Sequence, residues 1–331
     1  MKLLIFLMFL NFEMVNCGHN IAPDFMNWMN AHLSAQEVAN IVRDDLTTGS
    51  FGGGIYTGTV RPAIFVHGLN NQAGDLWQVR RDFVADGFPI QRGFATSWGR
   101  GTESLNLDVK MQCAFVQHIR RFMEIVIEYT NATQIDVLGY SMGSPIARKA
   151  ILGGKCIDNS TVDLGAPLTS KIHTYVSIAG ANQGSQLCFL PWFDVCNLDT
   201  GLTCFSKFLK EINTQQNYES TFRSFNIAST SDVMVGYFAC GKKASAFTGA
   251  VEYKLNGKSH TETEFETGSL QLSLLRQNST SFSGVSRRIP KKLMLSRKNP
   301  FNEIKKSMGK TGREEKMPPS STSAPEFEFQ N

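Results

Sequence analysis

The chain has 331 residues, 42% of them hydrophobic, with a formal net charge of +4, which is ordinary for a globular protein and fits one large α/β domain or two smaller ones. The charge is unevenly placed. From Val285 onward there are 11 basic and 5 acidic side chains, a local charge of +6 that leaves the rest of the chain at −2, so the nearly neutral body is not read as a nucleic-acid binder.

The first 17 residues read as a signal peptide. Lys2 supplies a positive start, Leu3 to Leu10 is an unbroken apolar run, and Val15 and Cys17 are small enough for the −3 and −1 positions of a cleavage site before Gly18. Eight apolar residues fall short of the roughly 20 that a membrane-spanning helix needs, so no transmembrane segment is expected and the protein is expected to be secreted. The cysteines agree. Of seven, Cys17 would leave with the leader; Cys113, Cys156, Cys188, Cys196, Cys204 and Cys240 remain, an even number suited to three disulfides in an oxidising compartment. Six cysteines allow 15 pairings. If all pair, one of the three between Cys188 and Cys204 must reach outside that cluster. No Cys-x-x-Cys spacing occurs, which disfavours a zinc knuckle or a thioredoxin-type site. Asn131, Asn159 and Asn278 each head an N-glycosylation sequon.

Residues 22–45 read as helix, with Trp28, Leu33, Val38 and Ile41 on one face, and the glycine-rich Gly49 to Gly58 as loop. Ala63-Ile64-Phe65-Val66 is a short continuous apolar run of the kind that forms a strand buried on both faces. A helix is expected from about Asp75 to Ala85. A second is marked by Val109, Cys113, Val116, Ile119, Met123 and Val126, which step by three and four. Ile135 to Leu138 is the next buried strand and Gly143 to Leu152 the helix after it. Further strands are expected at Thr174 to Ala179, Phe222 to Ala228 and Val251 to Leu255. Strands alternating with helices predict an α/β protein: a mostly parallel sheet with helices on both faces. The folded part should end near Asn278. The basic and Pro/Ser-rich segment beyond it reads as a disordered tail.

Gly139-Tyr140-Ser141-Met142-Gly143 matches G-x-S-x-G. The pentapeptide alone is a weak signal, but here it follows an apolar strand and opens a helix, the context in which it forms a nucleophile elbow. The flanking glycines are needed because a side chain at either position would collide with neighbouring backbone in so sharp a turn. A nucleophilic serine needs a base, and in α/β-hydrolases the order along the chain is serine, acid, histidine. Only His173 and His260 follow Ser141. His173 enters a strand, and only Asp158 and Asp163, in a loop-like stretch, lie between it and the serine. His260 follows Gly257-Lys258-Ser259 at the end of a strand. Of Asp158, Asp163, Asp194, Asp199 and Asp232, only Asp232 lies just past a predicted strand. Ser141, Asp232 and His260 are therefore the candidate catalytic residues. The backbone N–H groups of Leu69 and Met142 are the candidate oxyanion donors, and His67 is read as structural.

These motifs resemble the class 2 lipases, small secreted triacylglycerol lipases on a minimal α/β-hydrolase fold. The resemblance rests on Val66-His67-Gly68-Leu69, on Gly139-Tyr140-Ser141-Met142-Gly143, on Ser229-Thr230-Ser231-Asp232-Val233-Met234-Val235 and on Ser259-His260, and covers about Pro62 to Leu275. The multiple cysteines look like the nematode version of the family. The resemblance implies an acyl-enzyme mechanism through Ser141, His260 and Asp232, a lipid or ester substrate, and neither cofactor nor metal. A short-chain esterase or an acyltransferase on the same site, or a catalytically silent binding protein on the same fold, are the competing readings.

The expected organisation is a leader at 1–17, a hydrolase domain at 18–284 and a basic tail at 285–331. Within the domain, residues 183–213 form an insertion rich in apolar residues, among them Leu187, Phe189, Leu190, Trp192, Phe193, Leu202, Phe205 and Phe208, braced by cysteines. It should emerge at the same sheet end as the elbow. Two readings of it stay open: a rim that binds acyl chains and meets a lipid surface, or a small satellite core.

Overall fold

The structure, a computed structural model, describes residues 18–101, 107–189, 193–215 and 217–277. The leader at 1–17, the tail at 285–331, the sequon at Asn278 and Trp192 of the insertion lie outside the described residues.

In chain order the elements are β1 (Gly18–Ile21), α1 (Pro23–His32), α2 (Ala35–Val42), β2 (Thr48–Gly52), β3 (Ala63–Val66), α3 (Trp77–Ala85), β4 (Gly93–Ala95), α4 (Cys113–Thr130), β5 (Ile135–Tyr140), α5 (Gly143–Leu152), β6 (Ile172–Ile178), α6 (Lys207–Thr214), β7 (Arg223–Ser229), β8 (Phe238–Ala239), β9 (Lys242–Lys243), β10 (Ala250–Leu255), α7 (His260–Phe265) and α8 (Gly268–Leu275). Among the described residues eight strands make one sheet in the order β1-β2-β4-β3-β5-β6-β7-β10, and β8 and β9 form a separate hairpin. Every pairing in the large sheet is parallel except β2 with β4. The apolar runs of β3 and β5 are buried at every position because helices cover both faces. α4 turns Val116, Ile119, Phe122, Met123 and Val126 inward, the stripe its three-and-four spacing predicts; each such burial contributes about 1.5–3 kcal/mol.

Two expectations are corrected. Residues 22–45 are two helices rather than one. Ser34 begins the second: its hydroxyl accepts from the Glu37 amide at 3.3 Å while Glu37 Oε2 accepts from the Ser34 amide at 3.1 Å. This capping box offers the backbone an alternative to continuing the first helix. The Gly49 to Gly58 segment is not all loop, since its first residues belong to β2, paired with β1 and β4. Its glycines reflect close approach: a Cβ at Gly49 would lie 3.0 Å from the His19 backbone.

Helix α5 decides the geometry of the elbow, and all ten of its residues are buried, two of them charged. Arg148 donates to Glu219 Oε1 at 2.7 Å, Asn213 Oδ1 at 2.9 Å and the Ile212 carbonyl at 3.0 Å. Lys149 Nζ donates to Glu211 and to the Gly153 and Lys155 carbonyls. Fully partnered, these cations tie α5 to α6 instead of destabilising the core.

Candidate active site

Strands β5, β7 and β10 run parallel, so their carboxyl ends lie on one side of the sheet. Ser141 follows β5, Asp232 lies three residues past the end of β7, and His260 lies five past the end of β10. One sheet edge thus gathers three residues spread over 119 positions of chain. The Ser141 hydroxyl donates to His260 Nε2 at 2.9 Å, and His260 Nδ1–H donates to Asp232 Oδ2 at 2.7 Å. His173 is the second residue of β6, at the opposite sheet end, stacked on Phe222.

Each member is held by local chemistry. Ser141 sits at φ 48°, in the left-handed region. The turn is permitted by its neighbours: a Cβ at Gly143 would lie 2.1 Å from the His67 carbonyl oxygen, and one at Gly139 2.7 Å from Ser144 Cα. Beneath the turn, Ser144 Oγ lies 2.8 Å from the Tyr175 hydroxyl, 2.8 Å from Ser177 Oγ and 2.9 Å from Asn182 Oδ1. This buried, fully hydrogen-bonded cluster keys α5 to β6. Asp232 turns back on its own chain, Oδ1 accepting from the amides of Met234 at 2.8 Å and Val235 at 3.0 Å, which leaves Oδ2 aimed at the imidazole. His260 is the first residue of α7, whose start is fixed by Ser259 and Glu262 in a reciprocal capping box.

Electrostatics follow. Burial pushes the Asp232 carboxyl up, but the hydrogen bond from His260 and those from the Met234 and Val235 amides outweigh it, and the carboxyl lies below its ordinary value. Burial pushes the His260 imidazole down. The Asp232 hydrogen bond and the charges of Glu264 and Asp232 reverse this and raise it.

Met142 directly follows Ser141, and neither its amide nor that of Leu69 donates a hydrogen bond to another of the described residues. Gly68 brings the Leu69 loop close: a Cβ there would stand 2.9 Å from Ser141 Cβ. His67 holds that loop. Its Nδ1–H donates to the Gly68 carbonyl at 2.8 Å, its Nε2 accepts from the Trp98 amide at 3.0 Å, and its ring stacks on the Trp98 indole. Burial lowers its pKa to about 3, so it stays neutral. Two preorganised amides beside a serine hydroxyl, itself bonded to an imidazole, can bind the oxyanion formed when the oxygen attacks an ester carbonyl.

A family model described as lipase (class 2) matches residues 60–273. The chain belongs to the class 2 lipases. It is a carboxylic ester hydrolase on the α/β-hydrolase fold. Among solved structures it resembles the Bacillus licheniformis lipase BlEst2 in its propeptide form, at 14% identity and a TM-score of 0.50 over 72% of this chain and 55% of that one. The mature form of that lipase matches at 14% identity and a TM-score of 0.49, over 68% of this chain and 97% of that one. An Aspergillus fumigatus lipase B matches at 14% identity and 0.49, over 68% and 54%. A search of curated proteins found no match.

In this lipase the insertion divides itself. Val195, Leu202, Phe208, Leu209 and Ile212 are buried and continuous with the main hydrophobic core. Leu187, Phe189, Phe193 and Phe205 face solvent, Phe189 with 89% of its surface exposed. Burial thus separates two groups of apolar side chains within the one segment. Disulfides join Cys188 to Cys196 and Cys204 to Cys240, the second reaching outside the cluster, while Cys113 joins Cys156. The segment is also sewn to the loop that carries Asp232. The Gln186 amide donates to the Val235 carbonyl at 2.9 Å, and the Ser185 hydroxyl to the Met234 carbonyl at 2.7 Å. Val233 and Met234, next to Asp232, are themselves exposed. Among the described residues no helix is long and apolar enough to cross a membrane.

Sequence reasoning missed Glu264. It lies four residues after His260 on α7, with its side chain 5% exposed and its Oε1 3.6 Å from His260 Nε2. Burial lifts its carboxyl to about 7. The only signal was the i, i+4 spacing, which places both side chains on one face of a helix.

Proposed function

We propose that this lipase hydrolyses lipid esters, triacylglycerols foremost, through an acyl-enzyme on Ser141. His260 is the base, Asp232 its orienting partner, and the Leu69 and Met142 amides the oxyanion hole. The observation that carries this reading is the unbroken row of hydrogen bonds from Ser141 through His260 to Asp232, at 2.9 and 2.7 Å.

In the first half-reaction Ser141 Oγ attacks the ester carbonyl as His260 Nε2 takes its proton. The oxyanion falls between the two amides, each worth roughly 3–4 kcal/mol to the transition state. The imidazolium, held by Asp232, gives the proton to the leaving alcohol and the acyl group stays on Ser141. Water then repeats the sequence, with His260 again as base, and releases the acid.

The lipid character of the substrate is supported by the solvent-facing Leu187, Phe189, Phe193, Phe205, Val233 and Met234. They lie on the segment that is hydrogen-bonded to the Asp232 loop, or on that loop itself, and would bury on contact with a lipid surface. Secretion is supported by the apolar leader and by three disulfides that use all six cysteines after residue 17. On this reading residues 1–17 are removed, 18–284 form the hydrolase domain, and 285–331 are a basic tail.

Labelling with a fluorophosphonate, which reacts with an activated serine, tests the nucleophile: the wild type should label and Ser141→Ala should not. A chain-length series of p-nitrophenyl esters alongside a triglyceride emulsion tests the substrate. Turnover confined to short soluble esters would make the protein an esterase. Labelling that persists in Ser141→Ala would move the nucleophile elsewhere.

A further inference from the structure

We propose that Glu264 is a positioning residue for His260: its carboxyl group, on the Nε2 side of the imidazole and opposite Asp232, is a second seat for the proton that His260 carries. This rests on the reading of His260 as the base.

The geometry starts from helix α7. Residues four apart on a helix face the same way, so Glu264 projects along the face that carries His260, and its Oε1 comes to 3.6 Å from Nε2. That is ion-pair range but too long for a hydrogen bond. The placement is rigid. The Glu264 carbonyl accepts from Gln271 Nε2 at 3.0 Å, and Gln271 Oε1 accepts from the Tyr140 hydroxyl at 2.6 Å, which locks α7 to α8 and to the strand before the elbow. On the far side Oε1 lies 3.3 Å from where a Gly68 Cβ would stand. Only glycine leaves room there for both Ser141 and the carboxylate.

Among the described residues Oε1 is buried with no hydrogen-bond partner. A carboxyl in such a place costs stability, and a leucine would fill the space without that cost. Of the groups around it, His260 shares its helix and Asp232 faces it from the loop after β7. Tyr140 faces it from β5, with its own ionisation pushed far up by burial and by the charge of Glu264. Beyond Gly68, His67 is held neutral. The single ion-pair partner of Glu264 among the described residues is His260.

Two forms of the cluster contain the same protons: imidazolium with carboxylate, and neutral imidazole with carboxylic acid. In the first, Nε2 carries the proton and cannot accept one from Ser141. In the second, Glu264 carries it and Nε2 is free. Burial brings the carboxyl to about 7, and the Asp232 hydrogen bond with the charges of Glu264 and Asp232 holds the imidazole above its ordinary value, so the two forms compete for one proton and the pair titrates as a unit. An ionised Glu264 favours the protonated imidazole. Removing its charge therefore frees His260 to act at lower pH.

The test is the pH profile of kcat/KM on a soluble short-chain p-nitrophenyl ester. The acidic limb of the wild type should be broad, spanning two linked ionisations. In Glu264→Gln it should move to lower pH by about one unit and sharpen to a single ionisation. Position and steepness of the limb are read independently of the plateau height. Glu264→Leu gives the same comparison should the amide not be tolerated. The second measurement follows the His260 ring by NMR in Ser141→Ala, with and without Glu264→Gln, where a downward shift of its midpoint is expected. An unmoved limb or midpoint, with His260→Ala inactive, would overturn the role of Glu264 alone. Retention of wild-type turnover by His260→Ala would instead overturn the reading of the base.

Discussion

The elbow and the insertion rim lie at the same end of the sheet and are built in opposite ways. From Gly139 to Leu152 almost every residue is buried, the backbone turn is enforced by contacts that tolerate no side chain on Gly139 or Gly143, and even the charges of Arg148 and Lys149 are enclosed and paired. Among the described residues between Gln186 and Phe205 there is little regular structure. Two disulfides and a few hydrogen bonds to the Asp232 loop hold the chain, while large apolar side chains stand in solvent. The first region derives its precision from packing, which suits the positioning of reacting atoms to fractions of an ångström. The second derives its order from cross-links, which leaves its apolar surface free to meet something else. A change in the elbow should strike all activity or the fold itself; a change in the rim should discriminate between substrates.

The largest effect should come from the hydrogen-bonded row. Ser141→Ala and His260→Ala should each lower kcat/KM by about 10⁴-fold or more with the melting temperature nearly unchanged, and Asp232→Ala should retain the most. Because the three act as a unit, a double variant should be no worse than the worse single one. Kinetics on a soluble ester with parallel thermal unfolding would check this, and additive losses would show that the residues do not act together.

Next in size is the scaffold beneath the elbow. Glu219→Ala leaves Arg148 buried without its carboxylate and should destabilise by about 3–5 kcal/mol, measured by denaturant unfolding. A change within experimental error would mean that α5 does not depend on this pair. On the rim side, opening Cys204–Cys240 by a double serine substitution should cost about 2–4 kcal/mol, since the bridge closes a 36-residue span. Turnover of emulsions should fall before that of soluble esters.

Glu264 contributes a pH-dependent difference. Its folded pKa, about 7, is above the ordinary 4.5, so the stability from its protonated form is fully present below about 4.5 and is lost as pH rises through 7. Glu264→Gln should therefore match the wild type near pH 4 and exceed it by on the order of 3 kcal/mol at pH 8. Thermal unfolding at both pH values reads this, and a gain of equal size at both would assign the effect to packing instead of ionisation.

The smallest and most selective effect belongs to the exposed aromatics. Phe189→Ala or Phe193→Ala should reduce triglyceride-emulsion turnover by about five- to tenfold with little change on soluble esters. Equal losses on both substrates, with a fall in melting temperature, would place these side chains in a satellite core and erase the contrast with the elbow.

Much of this was legible in the chain. Ala63 to Val66 and Ile135 to Leu138 announce themselves because a strand covered on both faces must be apolar throughout, and the helix at Gly143 to Leu152 is read to the residue. The family resemblance was legible for a related reason: the elbow needs glycine at two fixed positions, and the loops carrying Asp232 and His260 must follow strands. β1, β2 and β4 were not legible. They are short, hold glycine and polar residues such as His19 and Asn20, and become strands only through their partners.

Local sequence settled which residue types could do chemistry and in what order they occur, because elbows, caps and buried strands are short-range patterns. It could not settle the cysteine partners, which depend on where loops converge. Nor could it show that Phe189 faces solvent while Phe208 is buried in the same segment. Glu264 shows the division most clearly. Its spacing from His260 is written in the sequence, but its burial and missing partner come from β5, α8 and the Gly68 loop. A carboxyl's charge is decided by the water removed from around it, and part of that removal belongs to Tyr140 and Gly68, more than a hundred positions away.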